Sequence, residues 1–284
     1  MPNPTIDAAL AQQLICASIQ TYNADQAGAA FPGDDPLASI GNPTGLTYVD
    51  YFEGQDVLSG RGAAPLVQFG LVFSVVGQPG TFVFAFRGTE GIAEWIDDAK
   101  VCSTTFQPLH PSLQHPLPAD ARVEDGFWEI YRSMQKSVFD KLEQHGVKKL
   151  IITGHSLGSA LSELFTLDVA LSSQIPFTTC HFAGPRVGNH AWAAFYDDVT
   201  KSLGGLTTRI VNTKDLVPKV PELIGYAHVG VAFEICFDSD DFRILPDYGL
   251  RHSANNYARA LAHTFGTSVD CQLEKGKPDD LKFC

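Results

Sequence analysis

The residues with the clearest chemistry form one pentapeptide, GHSLG (154–158), directly after the apolar run LII (150–152). A strand, a Gly-x-Ser-x-Gly turn and a helix together form the context in which a serine becomes a nucleophile. Glycine is needed at the flanks because this turn leaves no room for side chains. Ser156 would then lie in a strained backbone conformation with its Oγ above the sheet. We predict a catalytic serine here, against the alternative of a purely structural turn.

The segment after Ser156 is predicted to be a helix with one apolar face. Its first backbone N–H groups have no partner within the helix and point back towards the serine, so they would stabilise a negative charge that develops there. The apolar residues recur at three- and four-residue spacing; they are Leu157, Ala160, Leu161, Leu164, Phe165 and Leu171.

A serine hydroxyl needs a base to remove its proton, and the base needs an acid to hold it. In hydrolases built on this turn, the acid and then the histidine follow the serine along the chain. Asp215 fits the acid, because it lies in the loop that leaves a strand predicted at Thr207–Asn212. The weaker candidates are Asp168, on the helix after Ser156, and the acidic turn of Asp238, Asp240 and Asp241.

Two histidines come late enough in the chain to be the base, His252 and His263. His252 follows a loop (246–251) and is expected at the N-terminus of the last helix. His263 lies at the other end of that helix, where a histidine commonly caps the last carbonyls. The residues leave both open. His155 occupies the variable position of the turn, and His228 is expected in a turn of its own.

A second backbone donor is expected from the segment FRGT (86–89). A strand ends there, Gly88 turns the chain, and the N–H of Thr89 faces the site. One helix N–H is rarely enough to stabilise an oxyanion, so a donor from another loop is needed.

The alternation of strand and helix signals predicts an α/β fold: a mixed, mostly parallel central sheet with helices on both faces. Gln78-Pro79-Gly80 predicts a hairpin near the start, and Asp125 is expected to cap a long helix. No linker or repeat divides the chain, so we expect one domain over residues 1–284. The predicted strands are 48–52, 70–76, 81–86, 150–152, 178–182, 207–212 and 231–237; helices are predicted at 6–22, from 125, after 156, and near 189 and 252.

Composition excludes several classes of protein. The formal net charge of −12 speaks against nucleic-acid binding and against strong docking on anionic membranes. No apolar stretch is long enough for a membrane span, and no signal peptide is recognisable in the chain as given. A secreted protein after processing would look the same.

The six cysteines lack the close spacing of a zinc site, and their even number permits disulfides. Cys271 with Cys284 is the first pair expected, whereas Cys180 is expected to be a small core residue. The cysteines favour, mildly, an extracellular location.

These motifs together resemble the class 3 (fungal-type) lipases of the α/β-hydrolase fold. They occur in the family's order and span about two-thirds of the chain. The matching segments are FRGTEGIAEW (86–95), EDGF (124–127), ITGHSLG (152–158), FAGPRVGN (182–189), VNTKDLVPKVP (211–221), YAHVG (226–230) and RHSANNYARAL (251–261).

The resemblance implies a role for each matching residue. Ser156 would be the nucleophile, Asp215 the acid and His252 the base. The pattern HS…Y…AL favours His252 over His263. The backbone N–H groups of the oxyanion hole would be those of Thr89 and Leu157.

The resemblance also implies a lid, at about residues 90–108, which covers the site in water and opens at an oil surface. The apolar side of its helix would carry Ile92, Trp95 and Ile96. This segment is more acidic than a typical lid, and the alternative is an ordinary surface helix that buries the same residues. A second departure is Ser159, where many members have glycine.

We therefore expect a carboxylic-ester hydrolase that acts through an acyl-enzyme, with triacylglycerol as the favoured substrate. The alternatives are an esterase for short-chain or feruloyl-type esters, an A1-type phospholipase, or a hydrolase fold kept as a non-catalytic binding module. We expect no metal or cofactor, a lipid or small-molecule ester as substrate, transient contact with an oil–water interface, and a monomer.

Overall fold

A computed structural model describes residues 6–26, 41–55, 66–89, 102–221, 225–239, 248–269, 271, 273 and 281–284. A seven-stranded sheet runs through its centre in the order β1-β2-β3-β6-β7-β9-β11. Its strands are β1 (Leu46–Gln55), β2 (Leu66–Val75), β3 (Thr81–Phe86), β6 (Lys149–Gly154), β7 (Phe177–Phe182), β9 (Thr207–Asn212) and β11 (Val231–Ile235).

The sheet is mixed and mostly parallel, as expected from the sequence. β1, β2 and β3 form antiparallel pairs, and every later neighbour is parallel. The hairpin between β2 and β3 is confirmed. Parallel strands need crossover connections, and α-helices supply most of them.

The described residues contain six α-helices, most of which cover the sheet. They are α1 (Ala8–Gln26), α2 (Asp125–Gln144), α3 (Leu157–Ser172), α4 (His190–Ser202), α5 (Tyr248–His252) and α6 (Ala254–Phe265). Helices α2, α3 and α4 pack on one face, and α1 and α6 on the other. None of the helices within these described segments is long and apolar enough to cross a membrane.

The two cores follow from the two-residue repeat of a strand. In β3, Phe84 and Phe86 point into the core beneath α2 and α3, whereas Val83 and Ala85 point into the core beneath α1 and α6. Because both faces are covered, the central strands β2, β3 and β6 are apolar at most positions instead of alternating with polar residues. Helices on both faces of the sheet are thus confirmed.

Two smaller sheets flank the central one. The first has the antiparallel order β10-β8-β5-β4, and the second pairs β12 with β13. Their strands are β4 (Ser103–Thr104), β5 (Val123–Glu124), β8 (Gly188–Asn189), β10 (Tyr226–Ala227), β12 (Phe237–Ser239) and β13 (Leu281–Phe283).

The disulfides differ from the expected pair. Cys271 bonds to Cys16 of α1, and Cys284 bonds to Cys236. The antiparallel pairing of β12 with β13 places Cys284 opposite Cys236, so the expected Cys271–Cys284 bond was wrong. Cys180 is a buried residue of β7, as expected.

The cap of α2 also differs from the sequence expectation. Glu124, one residue before Asp125, is the N-cap, and its Oε2 accepts the N–H of Phe127 at 2.7 Å. Asp125 is the first helical residue, where its charge still complements the helix dipole.

Candidate active site

Ser156 lies at the sharp turn between β6 and α3. Its backbone has φ 61° and ψ −127°, a region that residues other than glycine rarely adopt. The N–H of Ser156 donates to the Phe182 carbonyl of β7 at 3.0 Å, which fixes this strained residue to the neighbouring strand. The side chain is almost fully buried.

The flanking glycines are required by close backbone approach. A Cβ at Gly154 would collide with the carbonyl of Gly158, and a Cβ at Gly158 would collide with the carbonyl of Phe86 in β3. The turn therefore brings β6, α3 and β3 closer together than any side chain permits. The strand–turn–helix context predicted from the sequence is confirmed.

Asp215 and His252 meet beside this turn. His252 Nδ1 lies 2.8 Å from Asp215 Oδ2, and both side chains are buried. An ionised carboxylate only accepts hydrogen bonds, so Nδ1 carries the proton and Nε2 presents its lone pair. Such a tautomer is the one in which an imidazole can act as a base.

Three donors hold the Asp215 carboxylate. Besides His252, the hydroxyl of Tyr257 donates to Oδ2 at 2.9 Å, and the backbone N–H of Val217 donates to Oδ1 at 2.9 Å. The Tyr257 hydroxyl itself accepts the N–H of Asn212, the last residue of β9, at 2.8 Å. Burial first, and then the nearby Asp215, raise the pKa of Tyr257 well above its usual range, so its hydroxyl keeps its proton.

The helix around His252 is broken where the sequence suggested a start. His252 is the last residue of α5, and α6 begins at Ala254. The competing His263 lies near the end of α6, where its ring stacks on Phe283 at 3.9 Å between centroids. The hydrogen bond to Asp215 is made by His252, so the structure brings His252, and not His263, to the acid.

Ser156 Oγ and His252 Nε2 are both buried, and within the described part of the chain neither has a hydrogen-bond partner. In enzymes without substrate, the bond between nucleophile and base is often long and tightens only in the complex. Each atom therefore keeps an unused hydrogen-bonding capacity among the described residues.

His155 joins the turn to the base. Its Nε2 lies 2.7 Å from the backbone carbonyl of His252, and its Nδ1 lies 2.9 Å from the hydroxyl of Tyr22 in α1. Burial first, and then the nearby His252, hold the pKa of His155 well below its usual range. The ring is therefore neutral, and it donates from Nε2 to the carbonyl and accepts from Tyr22.

Side chains from other segments hydrogen-bond to the loop that follows Asp215. His228 Nε2 donates to the Pro218 carbonyl at 2.6 Å, and burial, followed by Arg209, lowers the pKa of His228 to about 3. Arg186 Nη1 donates to the carbonyls of Lys219 and Pro221. His228 was expected in an ordinary turn, and its contact with the loop was not foreseen.

The two expected oxyanion donors come from two different segments of the chain. Leu157 is the first residue of α3, so its N–H has no carbonyl partner one turn earlier in the helix. Thr89 follows β3 and Gly88, and a Cβ at Gly88 would collide with the Tyr22 hydroxyl. Tyr22 therefore packs against the loop that leads to Thr89.

The expected lid residues Ile92, Trp95 and Ile96 lie outside the described residues. The described end of that segment contains β4, which pairs with β5, so residues 103–104 are extended and not helical. No group of three or more His, Cys, Asp or Glu that could hold a metal occurs in the segments that the structure describes.

The central sheet, the strained serine turn and the buried His–Asp pair define the α/β-hydrolase fold. The sequence model of the family described as lipase (class 3) matches residues 83–224, half of the chain. The chain belongs to this family.

Relatives include both lipases and phospholipases. A secreted mono- and diacylglycerol lipase of Malassezia globosa is 32% identical over 58% of this chain and 55% of its own length. A chloroplastic phospholipase A1 of Arabidopsis thaliana is 30% identical over 71% of this chain and 44% of its own length. The chain thus spans about half the length of the curated relatives it matches.

Solved lipases share the fold at lower identity. The Lip2 lipase of Yarrowia lipolytica has a TM-score of 0.60 at 20% identity and covers 84% of this chain and 82% of its own. A lipase of Rhizopus microsporus var. chinensis has a TM-score of 0.58 at 24% identity, covering 83% and 78%.

Two residues that contact Asp215 and His252 were not predicted from the sequence. Tyr257 lies five residues after His252, inside the motif RHSANNYARAL, and a buried tyrosine hydroxyl needs a partner. That rule would have marked Tyr257 as a residue to explain. His155 gave no comparable signal, because its two partners come from the distant α1 and α5.

Proposed function

We propose that this chain is a serine carboxylic-ester hydrolase, with triacylglycerols as its favoured substrate, that acts through an acyl-enzyme. The observation that carries the proposal is the His252–Asp215 pair beside the strained Ser156, with His252 Nε2 and Ser156 Oγ both free to meet a substrate. Membership of the class 3 lipase family supports the same reaction.

The first half of the reaction forms the acyl-enzyme. His252 Nε2 takes the proton of Ser156 Oγ as Oγ bonds to the ester carbonyl carbon, and the carbonyl oxygen becomes an oxyanion. Asp215, held by three donors, stabilises the imidazolium. The C–O bond to the alcohol then breaks, and the proton on Nε2 passes to the departing alkoxide.

The second half releases the acid. A water molecule gives a proton to His252 Nε2 and attacks the acyl carbon. The bond to Ser156 Oγ breaks, and Oγ recovers the proton from Nε2. The N–H groups of Leu157 and Thr89 would hold the oxyanion in both halves, and loss of one such donor typically lowers turnover by about 10²–10³.

An A1-type phospholipase is the second candidate. The observation that favours it is the long match to a plant phospholipase A1, which extends over 71% of this chain, whereas the match to the Malassezia lipase extends over 58%. Both activities use the same ester chemistry, so the distinction depends on the alcohol side of the substrate.

Secretion and a monomeric state complete the proposal. Several fungal relatives are named as secreted lipases, and the two disulfides are typical of oxidising compartments. Contact with an oil–water interface would bring the enzyme to triacylglycerol.

The test is fatty-acid release from emulsified triolein and from phosphatidylcholine vesicles, beside p-nitrophenyl esters from acetate to palmitate below and above their solubility. We expect triolein to be the best substrate and the rate on long esters to rise above their solubility limit. Faster release from the vesicles would make the chain a phospholipase, and a maximum on short soluble esters would make it an esterase.

Ser156→Ala and His252→Ala serve as controls, together with labelling by a fluorophosphonate, which reacts only with an activated serine. Both variants should lose labelling and turnover. Wild-type protein that is neither labelled nor active would favour a non-catalytic binding module.

A further inference from the structure

The helix after the nucleophile carries an unusual polar seam, defined here as Ser159, Glu163 and Thr166. Their spacing of four and three residues places them on one face of α3. This face meets β7 inside the core. The three contacts are Ser159 Oγ to the Phe182 carbonyl at 2.6 Å, Glu163 Oε1 to His181 Nε2 at 3.1 Å, and Thr166 Oγ1 to Thr179 Oγ1 at 2.7 Å.

The central contact of the seam is the least expected. Glu163 and His181 are fully buried, and their atoms are at ion-pair distance without good hydrogen-bond geometry. Tyr196, Asp197 and Arg209, from α4 and β9, supply the nearby polar and charged groups. Replacing a buried pair by apolar residues is often neutral or stabilising, so the pair is poorly explained by stability alone.

The contact is close to the nucleophile through the backbone. His181 directly precedes Phe182, whose carbonyl accepts both the N–H of Ser156 at 3.0 Å and the hydroxyl of Ser159. The His181 ring also packs against Gly184, where a Cβ would lie 3.1 Å from Nδ1. A shift of α3 along β7 would therefore change the position of Ser156.

Separating a buried polar pair leaves both groups without a partner, which is costly, so this contact opposes a shift of α3 along β7. We propose that the Glu163–His181 pair positions Ser156 by fixing α3 against the end of β7. The inference rests on the proposed function, since it takes Ser156 as the nucleophile. Glu163 and His181 are buried, so they act through the position of Ser156 and are positioning residues.

The sharpest test replaces the pair by apolar residues, in the double variant Glu163→Leu/His181→Leu. We expect an unchanged or higher melting temperature, a kcat on p-nitrophenyl butyrate lower by about tenfold, and KM within about twofold. The rate of fluorophosphonate labelling should fall with kcat, because it reports the reactivity of Ser156 without product release.

Glu163→Gln is the second variant, close in shape to the native side chain, and it should lower kcat by about threefold to tenfold. Asp168→Asn is the matched control. Asp168 is a buried carboxylate on the same helix, but its partners are Tyr131, Gln135, Ser172 and the N–H of Leu109, away from β7. It should lose stability and keep its kcat.

The inference is overturned if the double variant and Glu163→Gln retain wild-type kcat and labelling rates. It is also overturned if kcat merely follows melting temperature across all variants, Asp168→Asn included. Failure of the proposed function looks different, because wild-type protein itself would then lack turnover and labelling.

Discussion

The described part of the chain contains two histidine–carboxylate pairs in which both residues are buried, and they are built differently. At the candidate active site, Asp215 accepts hydrogen bonds from His252, Tyr257 and the Val217 backbone. Between α3 and β7, Glu163 has one contact of 3.1 Å with His181. Burial first raises the pKa of Glu163, and the contacts with His181 only partly offset this effect.

The difference shows how surrounding donors decide what a buried carboxylate can do. Asp215 is surrounded by donors that stabilise its charge, which suits a group that must stabilise an imidazolium next to it. Glu163 lacks comparable hydrogen bonds among the described residues. Glu163 therefore fits a structural role, in which its contact with His181 depends on the exact position of α3 against β7.

The two pairs should differ most in the loss of kcat that follows when each carboxylate is replaced by its amide. Asp215→Asn should lower kcat by about 10⁴, the loss seen when the acid of such a triad becomes an amide and the histidine takes the wrong tautomer. Glu163→Gln should cost no more than about tenfold. The measurement is kcat on p-nitrophenyl butyrate for both variants at one pH. Equal losses would remove the distinction between the two pairs.

Tyr257→Phe tests the donors around Asp215. The change removes one hydrogen bond to the carboxylate and leaves the N–H of Asn212 without its acceptor. We expect a loss of about 1–3 kcal/mol in the free energy of unfolding and about tenfold in kcat. Urea unfolding and steady-state kinetics measure the two.

Tyr131→Phe is the matched control for that change. Its hydroxyl donates at 2.7 Å to Asp168, a buried carboxylate outside the site. The control should lose similar stability and keep kcat within about twofold. If kcat falls equally in both variants, Tyr257 acts only through stability.

Asp168→Asn should show the effect of a buried carboxylate that serves structure alone. An amide cannot accept all four hydrogen bonds, so we expect about 1–3 kcal/mol less stability with kcat within about twofold of wild type. Urea unfolding and kcat on p-nitrophenyl butyrate provide the measurement. A kcat loss above tenfold would contradict the assignment of the whole effect to folding.

The smallest expected effect is a pH dependence of stability. The pKa of Glu163 is raised above its ordinary value of 4.5, so ionisation disfavours the folded state as the pH rises from 4.5 through the raised value. Glu163→Gln lacks this penalty. The melting temperature of Glu163→Gln minus that of wild type should therefore increase as the pH rises through that range.

Asp50 provides the opposite control. Burial opposes its ionisation, but hydrogen bonds from Lys141 and His145 outweigh it and lower the pKa below 3.8. Its contribution to stability is present above 3.8 and lost as the pH falls through the lowered value. Asp50→Asn should be less stable than wild type near neutral pH, with a difference that shrinks below 3.8. Slopes of the same sign in both variants would contradict this explanation.

Several parts of the fold were predictable because their signals are local. The strands Thr81–Phe86 and Thr207–Asn212 were predicted with their observed bounds, and the long helix predicted from residue 125 is observed as α2. Such strands are predicted by short apolar runs between turn residues, and this signal depends only on residues that are close together in the sequence. Errors arose where two local solutions compete, as at the start of α2, where Glu124 caps the helix instead of Asp125.

The helix near His252 shows the same limit. The last helix was expected to begin near residue 252, and α6 begins at Ala254; the end of the loop expected at 246–251 instead forms the short helix α5, with a break at Ser253. The break leaves the His252 carbonyl to His155 and turns its ring to Asp215. Both partners are distant in sequence, so the local pattern held no information about the break.

The sequence by itself determined the class of the protein, the turn that holds Ser156, and the strand end that presents Asp215. These features follow from periodicity, glycine spacing and ordered motifs, each of which acts over a few residues. Only the tertiary structure decided that His252, and not His263, meets Asp215, that Cys16 bonds to Cys271, and that Glu163 lies against His181. Such pairings depend on how distant elements pack, and packing is a property of the whole chain.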